Sequence, residues 1–131
     1  MGDMTKDFNR REFECNPKEC GCGYDDIDPR VVAIAQAARD ALGQSIRVSS
    51  GCRCKAWNAN PKVDGVDGSY HTKGKAADLT CASGSKRLYE VLQALFNAGK
   101  IPELAYCKRY IKKNFVHIDV GHKRGNRFTA A

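Results

Sequence analysis

The sequence predicts an α+β fold in which a small antiparallel sheet carries helices packed on one side. Two amphipathic helical segments and four short strand-like segments support this prediction, and the two kinds of segment neither alternate strictly nor form separate blocks. At 131 residues the chain is long enough for one modest core but not for two. We therefore expect a single domain over residues 1–131, with flexible tails at residues 1–7 and 122–131.

The first helix has clear start and stop signals. Asp28 can cap its N-terminus, Pro29 fits the first turn, and Gly43 can end it. Its apolar stripe consists of Val31, Ile34, Ala35, Ala38 and Leu42. The second helix is predicted over residues 86–98 and ends at Gly99, with an apolar stripe of Leu88, Val91, Leu92, Leu95 and Phe96.

Four segments are predicted as strands. Residues 46–50 alternate apolar and polar side chains up to Gly51, and residues 76–80 form a second short strand. Residues 104–107 and 115–120 are two further strands, which the basic segment 108–114 joins as a hairpin. The turn-forming residues between 56 and 68 predict a loop.

The chain is basic, with 22 Lys and Arg against 15 Asp and Glu and a formal net charge of +7. Such a charge suits nucleic acid, an acidic membrane or an anionic polymer such as a bacterial cell wall, although a solvated surface explains it as well. The sequence has no basic motif interleaved with aromatics and no apolar span, so we expect neither a nucleic-acid nor a membrane partner. Residues 1–11 are polar, which predicts no signal peptide and synthesis in the cytoplasm.

The seven cysteines allow several interpretations. They are Cys15, Cys20, Cys22, Cys52, Cys54, Cys81 and Cys107. The first three could bind a second metal ion, but a tetrahedral cysteine site needs a fourth ligand and the sequence has no CxxC pair. Disulfides, with one thiol left over, and buried free thiols are the alternatives.

Two histidines and two carboxylates occur in short patterned segments. His71 and Asp78 lie seven residues apart, whereas His117 and Asp119 share one face of the last predicted strand. Imidazole and carboxylate are zinc ligands, and three protein ligands plus a water form a catalytic zinc site. The pattern therefore favours a zinc hydrolase.

Four motifs extend this pattern over most of the chain. They are Ser50-Gly51-Cys52-Arg53, then Asn58, then Ser69-x-His71-x-x-Gly74-x-Ala76-x-Asp78, then Phe115-Val116-His117-Ile118-Asp119-Val120. Together they resemble the zinc D-alanyl-D-alanine carboxypeptidases, cell-wall metallopeptidases whose fold is shared by the hedgehog signalling domain. The opening Phe8-x-x-x-Glu12-Phe13-x-Cys15 resembles the small, often phage-encoded branch of that family, and the resemblance runs from about Phe8 to Gly121.

The resemblance implies a ligand set and substrate contacts. By it, His71, Asp78 and His117 bind one zinc ion. Arg53 holds the position that binds the substrate carboxylate or supports the carbonyl oxyanion, where a guanidinium offers a two-pronged match. Ser69 either donates to the substrate or fixes the ligand loop, and a plain turn serine fits as well.

One position departs from the family pattern. Related enzymes often carry a carboxylate base three residues before the last histidine, and this chain has Asn114 there. Asp119 is the predicted substitute, although it could instead orient a ligand imidazole, and Glu103 is a more distant choice.

The resemblance implies a zinc-dependent peptidoglycan hydrolase, either a D,D-carboxypeptidase or an endopeptidase, with the cell-wall stem peptide as its partner. We expect a monomer that acts at the bacterial cell wall or in the periplasm after phage-mediated release, as an endolysin does. The alternative is a non-catalytic, zinc-stabilised module that binds cell wall or protein.

Overall fold

Five strands form one sheet in the order β1-β2-β4-β3-β5. The structure is a computed structural model that describes residues 2–123 and 125–131. The strands are β1 (Ile46–Ser50), β2 (Ala76–Cys81), β3 (Tyr106–Tyr110), β4 (Phe115–Asp119) and β5 (Phe128–Ala130). The helices are α1 (Pro29–Leu42), α2 (Lys55–Ala59) and α3 (Ser85–Asn97), with two 3-10 helices at Arg10–Phe13 and Tyr70–Lys73. The predicted α+β class is confirmed.

The sheet is mixed rather than wholly antiparallel. The pairs β1–β2, β2–β4 and β3–β4 are antiparallel, as predicted, but β5 runs parallel to β3. This added strand lies inside residues 122–131, so the prediction of a flexible tail is wrong for Phe128–Ala130. The ring of Phe128 packs edge-on against Tyr89 and Phe96, which partly buries the strand's apolar side chain against α3.

The N-terminal segment is also held against the domain, contrary to the predicted tail. The Thr5 hydroxyl and the Asp7 backbone N–H both donate to Gln36 Oε1 of α1, at 2.8 and 2.9 Å. Met4 packs against the core. Met1 and Arg124, which the tail predictions include, lie outside the described residues.

Helix α1 begins and ends as predicted. Asp28 Oδ1 accepts the Arg30 backbone N–H at 2.9 Å, and Gly43 adopts a φ of 67°, the left-handed conformation that glycine accepts readily. The predicted loop at residues 56–68 is partly wrong, because Lys55–Ala59 forms α2. A five-residue helix has too few turns to show apolar periodicity in the sequence.

Alternation along the strands separates a core side of the sheet from a polar side. Ala77 and Leu79 of β2, and Val116 and Ile118 of β4, are fully buried in one cluster with side chains of α1 and α3. The intervening residues point away from the two helices. The polar side of the two central strands is thereby left to carry a functional site.

No helix among residues 2–123 and 125–131 has the length and apolar character needed to cross a lipid bilayer.

Candidate functional site

Three predicted ligands meet on the polar side of the sheet. Asp78 and His117 are direct partners in the β2–β4 ladder, so their side chains project side by side. His71 comes from the 3-10 helix Tyr70–Lys73, just before β2. One ligand atom from each residue lies within 4.8 Å of the other two.

The distances identify the three atoms that converge. Asp78 Oδ1 lies 3.3 Å from His71 Nε2 and 3.1 Å from His117 Nδ1. His71 and Asp78 are buried, and His117 is partly exposed. The site is therefore shielded on the protein side and open on the side of His117.

The other nitrogen of each imidazole has its own acceptor. His71 Nδ1 lies 2.7 Å from the Gly51 carbonyl oxygen, and His117 Nε2 lies 2.8 Å from Asp119 Oδ2. Because these oxygens accept, the two outer nitrogens carry the protons and donate them. His71 Nε2 and His117 Nδ1 both face the Asp78 carboxylate, and a metal ion bound between them would take the place of any proton on these two inner nitrogens.

The electrostatics of the site reflect the same contacts. Burial alone would raise the pKa of Asp78, but hydrogen bonds with His117 and His71 outweigh it and hold that pKa well below the ordinary range. Burial disfavours a charged His117, yet the hydrogen bonds with Asp119 and Asp78 raise its pKa to about 9. Asp78 is thus a permanent anion at neutral pH.

This donor set fits zinc. Two imidazole nitrogens and one carboxylate oxygen are among the ligand sets of catalytic zinc sites, which keep a fourth position for water or substrate. Both imidazoles are fixed by outer acceptors, as metal-bound histidines usually are. The site could therefore hold one zinc ion through His71, Asp78 and His117.

Arg53 lies beside the three ligands. Its Nη2 donates to Asp78 Oδ2 at 3.2 Å, its Nε to Ser50 Oγ at 3.0 Å, and its Nη1 to Asn58 Oδ1 at 3.3 Å. Burial lowers the pKa of Arg53, and the Asp78 carboxylate opposes that shift. A guanidinium has five N–H groups, and these contacts use three, so it retains donors for a ligand in the cavity.

The segment that carries His71 is built by Ser69 and Gly74. Ser69 Oγ accepts the His71 backbone N–H at 3.2 Å, which makes Ser69 the cap of this 3-10 helix. Gly74 ends the helix with a φ of 67°, and a Cβ there would lie 2.1 Å from the Asp26 carbonyl oxygen. Ser69 therefore caps the 3-10 helix that carries His71 and also lines the cavity, while its contact with a substrate stays a prediction.

A cavity of about 420 Å³ opens over the three ligands. Several residues that line the cavity lie outside the predicted site: Tyr70, Tyr106, Tyr110, Lys113 and His122. The His122 ring stacks on Tyr106 with 4.5 Å between ring centroids. In β3 the buried Cys107 alternates with Tyr106 and Lys108, a sequence signal that places Tyr106 and Tyr110 on the polar side of the sheet. His122 carries no such signal, because it lies in a predicted tail.

The candidate proton acceptors lie in three different surroundings. Asp119 is 1% exposed; Oδ2 contacts His117, and Oδ1 accepts the backbone N–H groups of Gly121 and His122 at 3.2 and 2.9 Å. Asn114 Oδ1 accepts the Ser85 backbone N–H at 2.8 Å, so this side chain caps α3. Glu103 is exposed and is not among the described residues that line the cavity.

Comparison with known proteins agrees with this geometry. A family model described as Peptidase M15 matches residues 6–119, which include all three ligands and Arg53. Comparison with curated proteins gives no significant match. The match covers most of the chain and supports a metallopeptidase, and the chain belongs to the M15 peptidases, the family of the zinc D-alanyl-D-alanine carboxypeptidases.

Proposed function

We propose that this chain is a zinc-dependent peptidoglycan hydrolase that cleaves a peptide bond of the cell-wall stem peptide, as a D,D-carboxypeptidase or an endopeptidase. The observation that carries the proposal is the open cavity in which two imidazoles, one carboxylate and one guanidinium converge. The family membership supplies the reaction class.

Each ligand residue has a defined task. His71 and His117 present one nitrogen each to the ion, while Gly51 and Asp119 hold the two rings in place. Asp78 supplies the negative charge that attracts a divalent cation. Zinc bound there would polarise the scissile carbonyl and lower the pKa of a bound water from about 16 towards 7.

Arg53 supports a substrate with a negative group near the scissile bond. Its side chain lies within hydrogen-bond distance of Asp78, so an anion bound to the remaining N–H groups would sit next to the metal ligands. A terminal carboxylate, as in a D-Ala-D-Ala peptide, and a developing oxyanion both match this donor.

We assign Asp119 to holding His117 rather than to accepting a proton. Both of its oxygens are already engaged, and it is almost completely buried behind the His117 ring. His122 is the remaining imidazole that lines the cavity in the described part of the chain, and imidazole is the commonest general base in enzymes. We therefore propose His122 as the proton acceptor.

Hydrolysis of a defined substrate tests the function. The zinc-loaded protein is incubated with peptidoglycan, and separately with a peptide ending in D-Ala-D-Ala, with and without a chelator. We expect release of new amines or of D-alanine that the chelator abolishes, that zinc restores and that His71→Ala prevents. Glu103→Gln, which changes an exposed carboxylate outside the cavity, is the matched control and keeps full activity. Absence of release from both substrates by zinc-loaded protein rejects the proposal.

A non-catalytic wall-binding module is the second candidate. The observation that favours it is the position of Asn114, where an amide caps α3 instead of supplying a base. It predicts that zinc-loaded protein sediments with peptidoglycan but releases nothing from it. Zinc-dependent turnover excludes it.

The site of action follows from the substrate. We propose that the protein reaches the wall as a phage endolysin does, and its net charge of +7 suits an anionic wall. Cells with a permeabilised outer membrane should lose turbidity on its addition, whereas equal amounts of the His71→Ala variant should leave turbidity unchanged. If neither protein lowers the turbidity of the cells, the proposal that the protein acts at the cell wall is contradicted.

A further inference from the structure

Four thiols converge at a place separate from the catalytic cavity. Cys15, Cys20, Cys22 and Cys54 each offer one Sγ, and these atoms all lie within 4.8 Å of one another. The sequence contains no obvious fourth ligand for the three N-terminal cysteines, and the fold supplies one from 34 residues beyond Cys20. None of the four is among the described residues that line the cavity over His71.

The spacing of the sulfur atoms matches ligands of one ion. Cys20 Sγ and Cys54 Sγ are 3.5 Å apart. In a tetrahedral site with zinc–sulfur bonds of about 2.3 Å, neighbouring sulfurs are about 3.8 Å apart. Sulfurs joined in a disulfide are separated by only about 2 Å.

The backbone around the cluster favours thiolates. The Cys54 N–H donates to Cys15 Sγ, and the Trp57 N–H donates to Cys54 Sγ, both at 3.4 Å. Hydrogen bonds of this kind stabilise the charged form of the acceptor and orient it. Cys15 is buried, Cys20 and Cys54 are half-buried, and Cys22 is exposed, so the cluster is largely shielded but remains accessible to an ion.

A tight turn brings Cys20 and Cys22 back to Cys15. The backbone N–H groups of Cys20 and Gly21 both donate to the Asn16 carbonyl oxygen, at 2.9 and 3.0 Å. Gly21 has a φ of 71°, a left-handed conformation that allows the chain to reverse. The loop is therefore shaped to present its thiols in one direction.

We propose that Cys15, Cys20, Cys22 and Cys54 bind one zinc ion as a closed, structural tetrahedral site. Four thiolates fill the coordination sphere of zinc and leave no position for water or substrate, as in structural zinc sites. The chain would then hold two zinc ions with different tasks.

The thiol site would position a residue of the catalytic cavity. Cys54 directly follows Arg53, and the Cys52 N–H donates to the Phe13 carbonyl oxygen at 2.8 Å. An ion at Cys54 would therefore fasten the N-terminal segment to the segment that carries the guanidinium. It would add to the contacts that already hold Arg53 beside Asp78.

The test begins with a protein that lacks the catalytic site. The double variant His71→Ala, His117→Ala is prepared in zinc-containing medium, dialysed, and its zinc is counted by elemental analysis and native mass spectrometry. We expect one zinc ion per chain. Because this variant has no catalytic ligand set, the result does not depend on whether the proposed hydrolase activity exists.

Variants in the same background then locate the ion. Cys22→Ser changes the exposed ligand, and we expect at least about a tenfold loss of zinc affinity and a weaker thiolate-to-metal absorption after cobalt substitution. Cys81→Ser changes a half-buried thiol outside the cluster and serves as the control, with no change in either readout. An equal loss in both variants would overturn the assignment.

Thiol labelling provides a readout that does not require a mutation. Zinc should protect the four cluster cysteines from alkylation, and a chelator should expose them, as peptide mass spectrometry can map residue by residue. A Cys20–Cys54 disulfide in the freshly purified, unreduced protein, or a double variant without zinc, would refute the site.

Discussion

Replacing Asp119 by asparagine separates an orienting role from a proton-accepting role. Asp119 Oδ2 accepts from His117 Nε2 at 2.8 Å, and Oδ1 accepts two backbone N–H groups. Asparagine has nearly the same shape but only one accepting oxygen. Its amide NH₂ group must therefore face either the imidazole N–H or the two backbone donors, and one set of contacts is lost.

The size of the effect follows from this geometry. Loss of the outer partner of a metal-bound histidine commonly costs 10–100-fold in metal affinity, which corresponds to about 1.4–2.7 kcal/mol. Asp119 is 1% exposed, so water does not replace the missing acceptor, and each buried donor left unpaired costs about 1–3 kcal/mol of folding free energy. We expect Asp119→Asn to weaken zinc binding at the catalytic site by 10–100-fold and to lower the free energy of unfolding of the metal-free protein.

The assay measures zinc affinity and turnover on the same protein. Zinc occupancy is followed by native mass spectrometry over a series of buffered free-zinc concentrations, and turnover is measured again at saturating zinc. An orienting Asp119 predicts that excess zinc restores most of the activity. The orienting role would be refuted by a different result: a zinc affinity within about twofold of wild type and a turnover that falls at least 100-fold and is not restored by zinc. That result would identify Asp119 as the base. Glu103→Gln is the control for loss of one acidic residue elsewhere.

Four further predictions concern the cavity and its support. Arg53→Lys keeps the positive charge but loses the planar array of donors, so we expect KM for a carboxylate-terminated peptide to rise at least about tenfold with zinc content unchanged, and an unchanged KM would contradict substrate binding. His122→Gln should lower kcat by about 100-fold or more at full zinc occupancy, whereas wild-type kcat would remove it as the proton acceptor. Gly74→Ala should lower the free energy of unfolding by about 2 kcal/mol or more in urea denaturation, clearly more than Gly43→Ala, because both glycines have a φ of 67° but only Gly74 meets a backbone oxygen. In the metal-free protein, hydrogen bonds with Asp119 and Asp78 raise the pKa of His117 to about 9, whereas zinc binds only the neutral imidazole. The apparent zinc affinity in activity titrations should therefore increase about tenfold per pH unit between about 7 and 9. An affinity that does not change with pH would contradict this competition between zinc and a proton.

Local sequence signals predicted the parts of the fold that depend on near neighbours. The ends of α1 follow from Asp28, Pro29 and Gly43, whose effects act within a single turn. Alternation in β4 placed His117 and Asp119 on one side of the strand, as the structure has them. The proposed ligands His71, Asp78 and His117 could be named from the sequence because their motifs are short and resemble those of a family, and the fold brings the three side chains together.

The parts of the fold and the site that depend on contacts between distant residues could not be predicted from local sequence signals. Strand β5 is three residues long and pairs in parallel with β3, and no local pattern marks such a strand. The role of Asp119 depends on which imidazole nitrogen faces Asp78, which is a matter of side-chain rotation. The fourth thiol of the cysteine cluster is distant in sequence and becomes a neighbour only in the folded chain.

Asn114 shows how one position can serve the fold instead of the chemistry. Its φ of 56° places it in the left-handed region, which asparagine tolerates better than most residues, and its side chain caps α3. The sequence shows only that a carboxylate is missing at this position. In the structure, Asn114 is a residue of the β3–β4 hairpin, and its side chain has the Ser85 backbone N–H as its partner.

The direct pairing of Asp78 with His117 would make the proposed zinc site a reporter of folding. A shift of β4 by one residue against β2 would put an apolar side chain opposite Asp78 and turn the histidine towards the helices. The complete ligand set therefore exists only after the two central strands have found their native register. In a refolding experiment, zinc uptake by the proposed site at His71, Asp78 and His117 should accompany formation of the central sheet and should not precede it, so an ion there would select correctly registered molecules from misaligned ones.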